Sequence, residues 1–321
     1  MKKKRKRKVK KMTQLQENII EVLKFSFGPE IMGFLNDKDV IEVYLNDNQE
    51  LWTDTLSGGR KKTGIRMSYE DSLRINTIVA GAVGTEINMS NPLVTAELPI
   101  EGSRFQGEIP PVVKNPTFNI RKKAIKIFTL EEYVDNGVMT EKQYESICKA
   151  VKEKKNILVI GGTSSGKTTL CNAIINEMAK YQERMIIIED TQELQCACDD
   201  RVFLRTSDTV SIRDLIKATL RMRPDRISIG EIRGGAALDL LKAWNSGHPG
   251  GICTIHADSP RAGLDQLEQY ISEVSISPQQ KMISRVAHVL VFIKREGLKR
   301  VIGSIAEVKG YKDGEYILEE V

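Results

Sequence analysis

Residues 161–168 read Gly-Gly-Thr-Ser-Ser-Gly-Lys-Thr, a glycine-rich run closed by a lysine and a hydroxyl. Each residue type suits phosphate. Glycines let backbone N–H groups turn onto phosphate oxygens, Lys167 brings an ammonium within reach of the terminal phosphates, and the Thr168 hydroxyl suits Mg2+. Gly161, Gly162, Thr163, Ser164, Ser165, Gly166, Lys167, Thr168 and Thr169 therefore form a candidate nucleotide-binding loop. Such a loop needs a strand before it and a helix after it, because the helix N-terminus supplies part of the positive field. The apolar run 157–160 reads as a buried parallel strand, and Leu170, Ala173, Ile174 and Met178 recur at helical spacing.

A nucleotide in an open α/β sheet lies at the carboxyl ends of the strands, so acids that follow apolar β-runs are the ones to weigh. Glu189 and Asp190 follow Met185-Ile-Ile-Ile188, and Glu231 follows Ile227-Ser-Ile229 and Gly230. An acid at such a place positions the attacking water, accepts its proton, or holds Mg2+ through water. Glu189 and Glu231 are the candidate catalytic acids, with Thr168, Asp190 and Glu231 as candidate Mg2+ ligands; which glutamate is the general base stays open. Gly230 stands where many enzymes with this loop carry an aspartate, which shifts the acid by one residue. His248 and His256 lack helical metal-ligand spacing, and His256, after the run 251–255, is a candidate sensor of the terminal phosphate. Phosphoryl transfer also needs cations around the phosphate; Arg104, Arg121 and the arginines of 221–226 are the candidates.

The elements that must position these groups fall into two halves. The spacing of Leu15, Ile19, Val22, Leu23 and Phe27 predicts a helix capped by Thr13 and ended near Gly28-Pro29. Strands over 40–45 and 50–54, a helix over 68–83, and β-runs over 93–99 and 103–109 complete a small α+β domain, residues 13–121. Residues 122–139 read as a connector containing a short capped helix from Thr129. From 140 to 321, apolar β-runs alternate with helices at 140–154, 212–222 and 236–245, which predicts a mostly parallel sheet with helices on both faces. Two late strands, 289–293 and 301–305, follow.

The 321 residues suffice for two cores, and no apolar run approaches the roughly 20 residues that span a bilayer. No apolar segment follows the basic start, so a secretory signal is not expected. Five cysteines, an odd number, fit a reducing cytoplasm, and Cys196-Ala-Cys198 lacks the four ligands of a structural zinc site. The formal net charge is +5, but residues 2–11 carry nine Lys or Arg and no acid, which leaves the remainder at −4. Residues 1–12 are thus expected to be a disordered polybasic tail, either solubilising or a contact for an anionic membrane surface or nucleic acid.

Four runs in this order carry a resemblance: Gly-Gly-Thr-Ser-Ser-Gly-Lys-Thr-Thr (161–169), Ile-Glu-Asp-Thr-Gln-Glu-Leu (188–194), Leu-Arg-Met-Arg-Pro-Asp-Arg-Ile-Ser-Ile-Gly-Glu-Ile-Arg-Gly (220–234) and Gly-His-Pro-Gly-Gly-Ile-Cys-Thr-Ile-His-Ala (247–257). With Ala-Glu-Leu-Pro (96–99), the run 104–112 and Phe-Asn-Ile-Arg-Lys (118–122), the chain resembles the secretion and conjugation traffic ATPases, most closely the TrbB-type conjugal transfer ATPases of type IV secretion systems. The resemblance implies a RecA-like ATPase domain preceded by a smaller α+β N-terminal domain, ATP with Mg2+, and a homo-hexameric ring. It also implies a place at the cytoplasmic face of the cell membrane beside inner-membrane secretion or conjugation components, powering pilus assembly or substrate transfer. Arginines matching Arg104 and Arg121 approach the phosphates in such rings. The basic tail is not part of the family pattern. A type IV pilus or type II secretion motor, a DNA-translocating ATPase and a nucleotide-switched scaffold are the competing readings.

Overall fold

The computed structural model describes residues 14–321 except 101, 124–126, 208 and 298, and for 14–16 the backbone alone. The basic tail and the Thr13 cap lie outside the described residues. Two compact units divide the chain, residues 1–124 and 125–321.

In the first unit, α1 (Gln14–Asn36) buries Leu23, Phe27, Ile31 and Leu35, a four-residue spacing that puts all of them on one face. The stop expected at Gly28-Pro29 is a kink instead. Gly28 takes φ 71 and ψ 174, which only glycine adopts cheaply, and Pro29 then opens the next stretch, where its missing N–H costs nothing. Burial of Ile31 and Leu35 carries the helix on past the break. The strands β1 (Val40–Leu45), β2 (Glu50–Thr55) and β3 (Gly59–Arg66) precede α2 (Tyr69–Ala82), whose Ser68 cap accepts from the Asp71 N–H at 3.0 Å. Then come β4 (Leu93–Glu97), β5 (Arg104–Glu108) and β6 (Thr117–Arg121). They form one antiparallel sheet in the order β3-β2-β1-β6-β5-β4. Val43, Phe105, Phe118 and Ile120 pack with Ile75 and Val79 of α2 and with α1 to make its core.

The second unit opens with α3 (Leu130–Asp135) and α4 (Glu141–Lys152), each started by a capping box, Thr129 with Glu132 and Thr140 with Gln143. Leu130, Tyr133 and Met139 are buried in this unit's core, so most of the expected connector 122–139 folds as part of the second unit. There follow β7 (Ile157–Ile160), α5 (Lys167–Ala179), β8 (Met185–Glu189), β9 (Arg201–Arg205), α6 (Ile212–Thr219), β10 (Arg226–Ile229) and α7 (Ala236–Asn245). The unit ends with β11 (Ile252–Ile255), α8 (Pro260–Ser272), α9 (Gln280–Val286), β12 (Val289–Glu296), β13 (Lys299–Lys312) and β14 (Glu315–Glu320). The sheet runs β14-β13-β12-β7-β11-β10-β8-β9, parallel from β12 to β9 and antiparallel through the last two hairpin strands. Alternation along β7 serves both faces: Ile157 and Val159 pack with α3, α4 and α5, while Leu158 and Ile160 pack with α7, α8 and α9.

A buried amide locks the amino-terminal edge of this sheet. Asn156 Nδ2 donates to the Val286 carbonyl (2.8 Å), its Oδ1 accepts from the Gly250 and Gly251 N–H groups (2.7 and 3.2 Å), and its own N–H donates to His288 Nδ1 (2.9 Å). That last bond requires an unprotonated Nδ1. Burial, and then the Lys155 charge, hold the His288 pKa below its usual value. The unfolded chain therefore takes up this proton at higher pH than the folded one, so His288 costs stability as pH falls below about 6.5. Melting temperature should drop between about pH 7 and pH 5.5, and His288→Gln should flatten that part of the curve. An unchanged slope in the variant would show that His288 does not carry it.

Candidate active site

Parallel register decides which residues leave the sheet side by side. Ile160 of β7 lies opposite Ile255 of β11, and Ile229 of β10 lies opposite both Cys253 of β11 and Ile188 of β8. Gly161, His256, the pair Gly230-Glu231, and Glu189-Asp190 therefore emerge along one carboxyl edge. His256 is exposed there, beside the start of the loop, and the Gly161 N–H points at the Ile255 carbonyl (3.4 Å). His248 belongs to the opposite edge, where Nδ1 meets the Pro224 carbonyl at 3.0 Å. The two histidines do not form one cluster.

Backbone conformation shapes the loop 161–169. Ser164 at φ 57 and Gly166 at φ 99 are left-handed, the turn that faces successive N–H groups inward. A Cβ on Gly161 would lie 2.3 Å from the Ile293 carbonyl oxygen and 2.6 Å from Ser165 Oγ, so no other residue fits. Lys167 Nζ donates to the Gly161 and Gly162 carbonyls, each at 2.8 Å, which holds the ammonium at the loop. The α5 N-terminus has no side-chain cap and no acid in its first turn. The Ser165 hydroxyl, 3 % exposed, has no hydrogen-bond partner among the described residues. Thr168 and Thr169 are half-buried in that first turn. Uncapped N–H groups, a buried unpartnered hydroxyl and an ammonium make an anion receptor.

Glu189 ends β8 and is 5 % exposed. Its Oε1 accepts from the Glu193 and Leu194 N–H groups at 3.0 and 2.9 Å, so the loop after β8 fixes the carboxylate. Gly230 makes room for it. A Cβ there would lie 2.9 Å from Glu189 Cγ and 3.1 Å from Oε1. The missing aspartate of β10 and the acid of β8 thus share one volume, and Thr254 Oγ1 anchors the Gly230 carbonyl at 2.8 Å. Glu231, partly exposed, binds Arg233 through Oε2 at 2.5 Å. This bond raises the Arg233 pKa, helped by the charges of Glu231 and Asp190, which places Asp190 within electrostatic reach. Asp190 is exposed and accepts from Thr206 Oγ1 at 3.0 Å. The sequence reading missed Arg233, although a cation two residues after a strand-end acid was the available signal.

Arg226 is not a phosphate cation in this chain. It starts β10, at the edge remote from the loop, and is 1 % exposed. Its guanidinium pairs with Glu183 (2.5 Å) and donates to the Gly250 and Val151 carbonyls (both 3.0 Å), a structural role. In the first unit, Arg104 and Arg121 are cross-strand partners on β5 and β6, and Arg121 also lies opposite Glu42 on β1. The structure brings these two arginines together on one face of the small sheet.

Among the described residues, no three His, Cys, Asp or Glu are grouped to hold a metal by themselves, and no helix is long and apolar enough to cross a membrane. The family described as type II/IV secretion system protein matches residues 62–293. The chain is 42 % identical over 312 residues to a probable conjugal transfer protein TrbB of Sinorhizobium fredii, covering 96 % of each chain. It is 32 % identical over 284 residues to the type IV secretion system protein VirB11 of Bartonella quintana, covering 76 % of this chain and 79 % of the relative. In fold it is similar to the ATPase DotB of Yersinia pseudotuberculosis (TM-score 0.62, 17 % identity, 92 % of this chain and 80 % of that one). The pilus retraction motor PilT with bound ADP is also similar in fold (TM-score 0.59, 19 % identity, 91 % and 81 %). With its phosphate-type loop and strand-end acids on a RecA-like sheet, the chain belongs to the type II/IV secretion system protein family, the traffic ATPases.

Proposed function

We propose that this chain is the ATP-hydrolysing motor subunit of a type IV secretion or conjugation system, powering pilus assembly or substrate transfer. The observation that carries the reading is the anion receptor at the α5 N-terminus, with Glu189 and Glu231 on the same sheet edge. Residues 161–169 cradle the ATP phosphates, with Lys167 on the terminal ones. The Thr168 hydroxyl, with Asp190 and Glu231 acting through water, suits Mg2+, which keeps several waters and needs no all-protein cage; when bound, Mg2+ neutralises charge on the phosphates. Glu189 and Glu231 orient the attacking water and accept its proton, and His256 reports the terminal phosphate to β11. Identity to conjugal relatives over nearly the whole chain favours conjugation over a type IV pilus or type II secretion motor.

The subunits assemble as a homo-hexamer at the cytoplasmic face of the membrane, against inner-membrane components. Nine cations in residues 2–11 favour an anionic surface there, at about 1 kcal/mol per charge. Arg104 and Arg121 are the arginines whose cations the transferring phosphate would need. Mass photometry with a slowly hydrolysed ATP analogue should show hexamers. Arg104→Ala combined with Arg121→Ala should still bind ATP while turnover falls roughly 10³-fold, the scale of a lost arginine at a transferring phosphate. Full turnover by dispersed monomers, or by the double variant, would refute this assembly.

A further inference from the structure

The groups suited to the terminal phosphate lie on one flank of β7: Glu189 ends β8, and Glu231 and His256 follow β10 and β11. The opposite flank is built by β12. There the β12–β13 hairpin outruns the sheet: β7 stops at Ile160, opposite Phe292, while β12 continues to Glu296 and pairs with β13 through Arg295 and Arg300. The overhang lies along the loop. A Cβ on Gly166 would touch Arg300 Cγ and Ile293 Cδ1, each at 3.5 Å, and Ile293 is 1 % exposed. Arg300 is half-buried, and its charge also reaches Tyr133 of α3.

We propose that Arg300 forms the subsite for the nucleoside end of the nucleotide, its stem backed by Ile293 and packed on Gly166, its guanidinium plane laid against the purine. The inference rests on the reading of residues 161–169 as a phosphate cradle. If the terminal phosphate faces the strand-end acids, the nucleoside leaves the loop on the β12 side, where Arg300 is the cation in contact with it. A planar, weakly hydrated guanidinium stacks on an aromatic ring, whereas an ammonium is a hydrated point charge. This subsite makes no demand on the acids across the sheet.

Calorimetry on the full-length chain with Mg2+, using ADP and inorganic diphosphate as paired probes, separates the possibilities. Arg300→Ala should weaken ADP about tenfold, the scale of one desolvated cation–π contact, and leave diphosphate unchanged. Arg300→Lys, which keeps the stem but loses the plane, should fall between. Unchanged ADP affinity would overturn the proposal. So would parallel loss of both probes, which would make Arg300 a support of the phosphate loop. Wild-type protein that binds neither probe would instead overturn the cradle on which the proposal rests.

Discussion

Lys167→Ala is expected to abolish ATP turnover without unfolding the second unit. Lys167 is half-buried, and its ammonium bonds the carbonyls of its own loop, Gly161 and Gly162, both at 2.8 Å. Its removal leaves the α5 contacts of Leu170, Ile174 and Met178 untouched, so the melting temperature should move by a few degrees at most. Removing the cation next to the transferring phosphate costs several orders of magnitude, because phosphoryl transfer depends on charge stabilisation rather than on covalent chemistry. Phosphate release and melting measured on the same preparation check both halves. Wild-type turnover in the variant would remove the loop from the site.

The second large effect concerns Gly230. Gly230→Asp restores the acid that many nucleotide-loop enzymes carry at the end of this strand, yet it should inactivate this protein. The new Cβ would lie 2.9 Å from Glu189 Cγ, and the Glu189 side chain is held by two backbone N–H groups and is 5 % exposed, so it has no free direction in which to move. Overpacking there costs about 1–3 kcal/mol, and two buried carboxylates in one volume add repulsion. Turnover should fall roughly 10²-fold or more, in line with a misplaced catalytic acid. The combination Gly230→Asp with Glu189→Ala removes the clash and leaves one acid in the shared volume. It should recover stability and exceed either single variant in turnover. A Gly230→Asp protein as active as wild type would show that the two strands do not compete for that space.

The site loop and its acids were legible because each is a local pattern: glycines and a lysine between an apolar run and a helical one, or an acid just after a β-run. Their convergence on one edge required only the parallel sheet. What stayed hidden depended on tertiary packing. The strand β3, Gly-Arg-Lys-Lys-Thr-Gly-Ile-Arg, is a mostly exposed edge with no apolar alternation, and its charges protect that edge rather than announce a strand. The β9 strand follows β8 with no helix between, so the βα rhythm did not predict it. The α8 helix was readable and was overlooked: Ser259 caps it, Pro260 opens it, and Leu264, Leu267 and Ile271 recur on its buried face. Arg226 looked like a phosphate cation in sequence, and only its place at the far end of β10 reveals a structural arginine. The reason for glycine at 230 was invisible without the side chain of Glu189, forty-one positions away in the chain and one strand away in the sheet.

Whether this chain hydrolyses ATP at the 161–169 loop is decided by steady-state phosphate release from the full-length chain, with and without Mg2+, for wild type and Glu231→Gln. Wild type should show Mg2+-dependent turnover, and Glu231→Gln should still bind ATP but turn it over roughly 10²–10⁴-fold more slowly. Wild type that releases no phosphate with Mg2+ present, or a Glu231→Gln rate equal to wild type, would contradict this reading of the site.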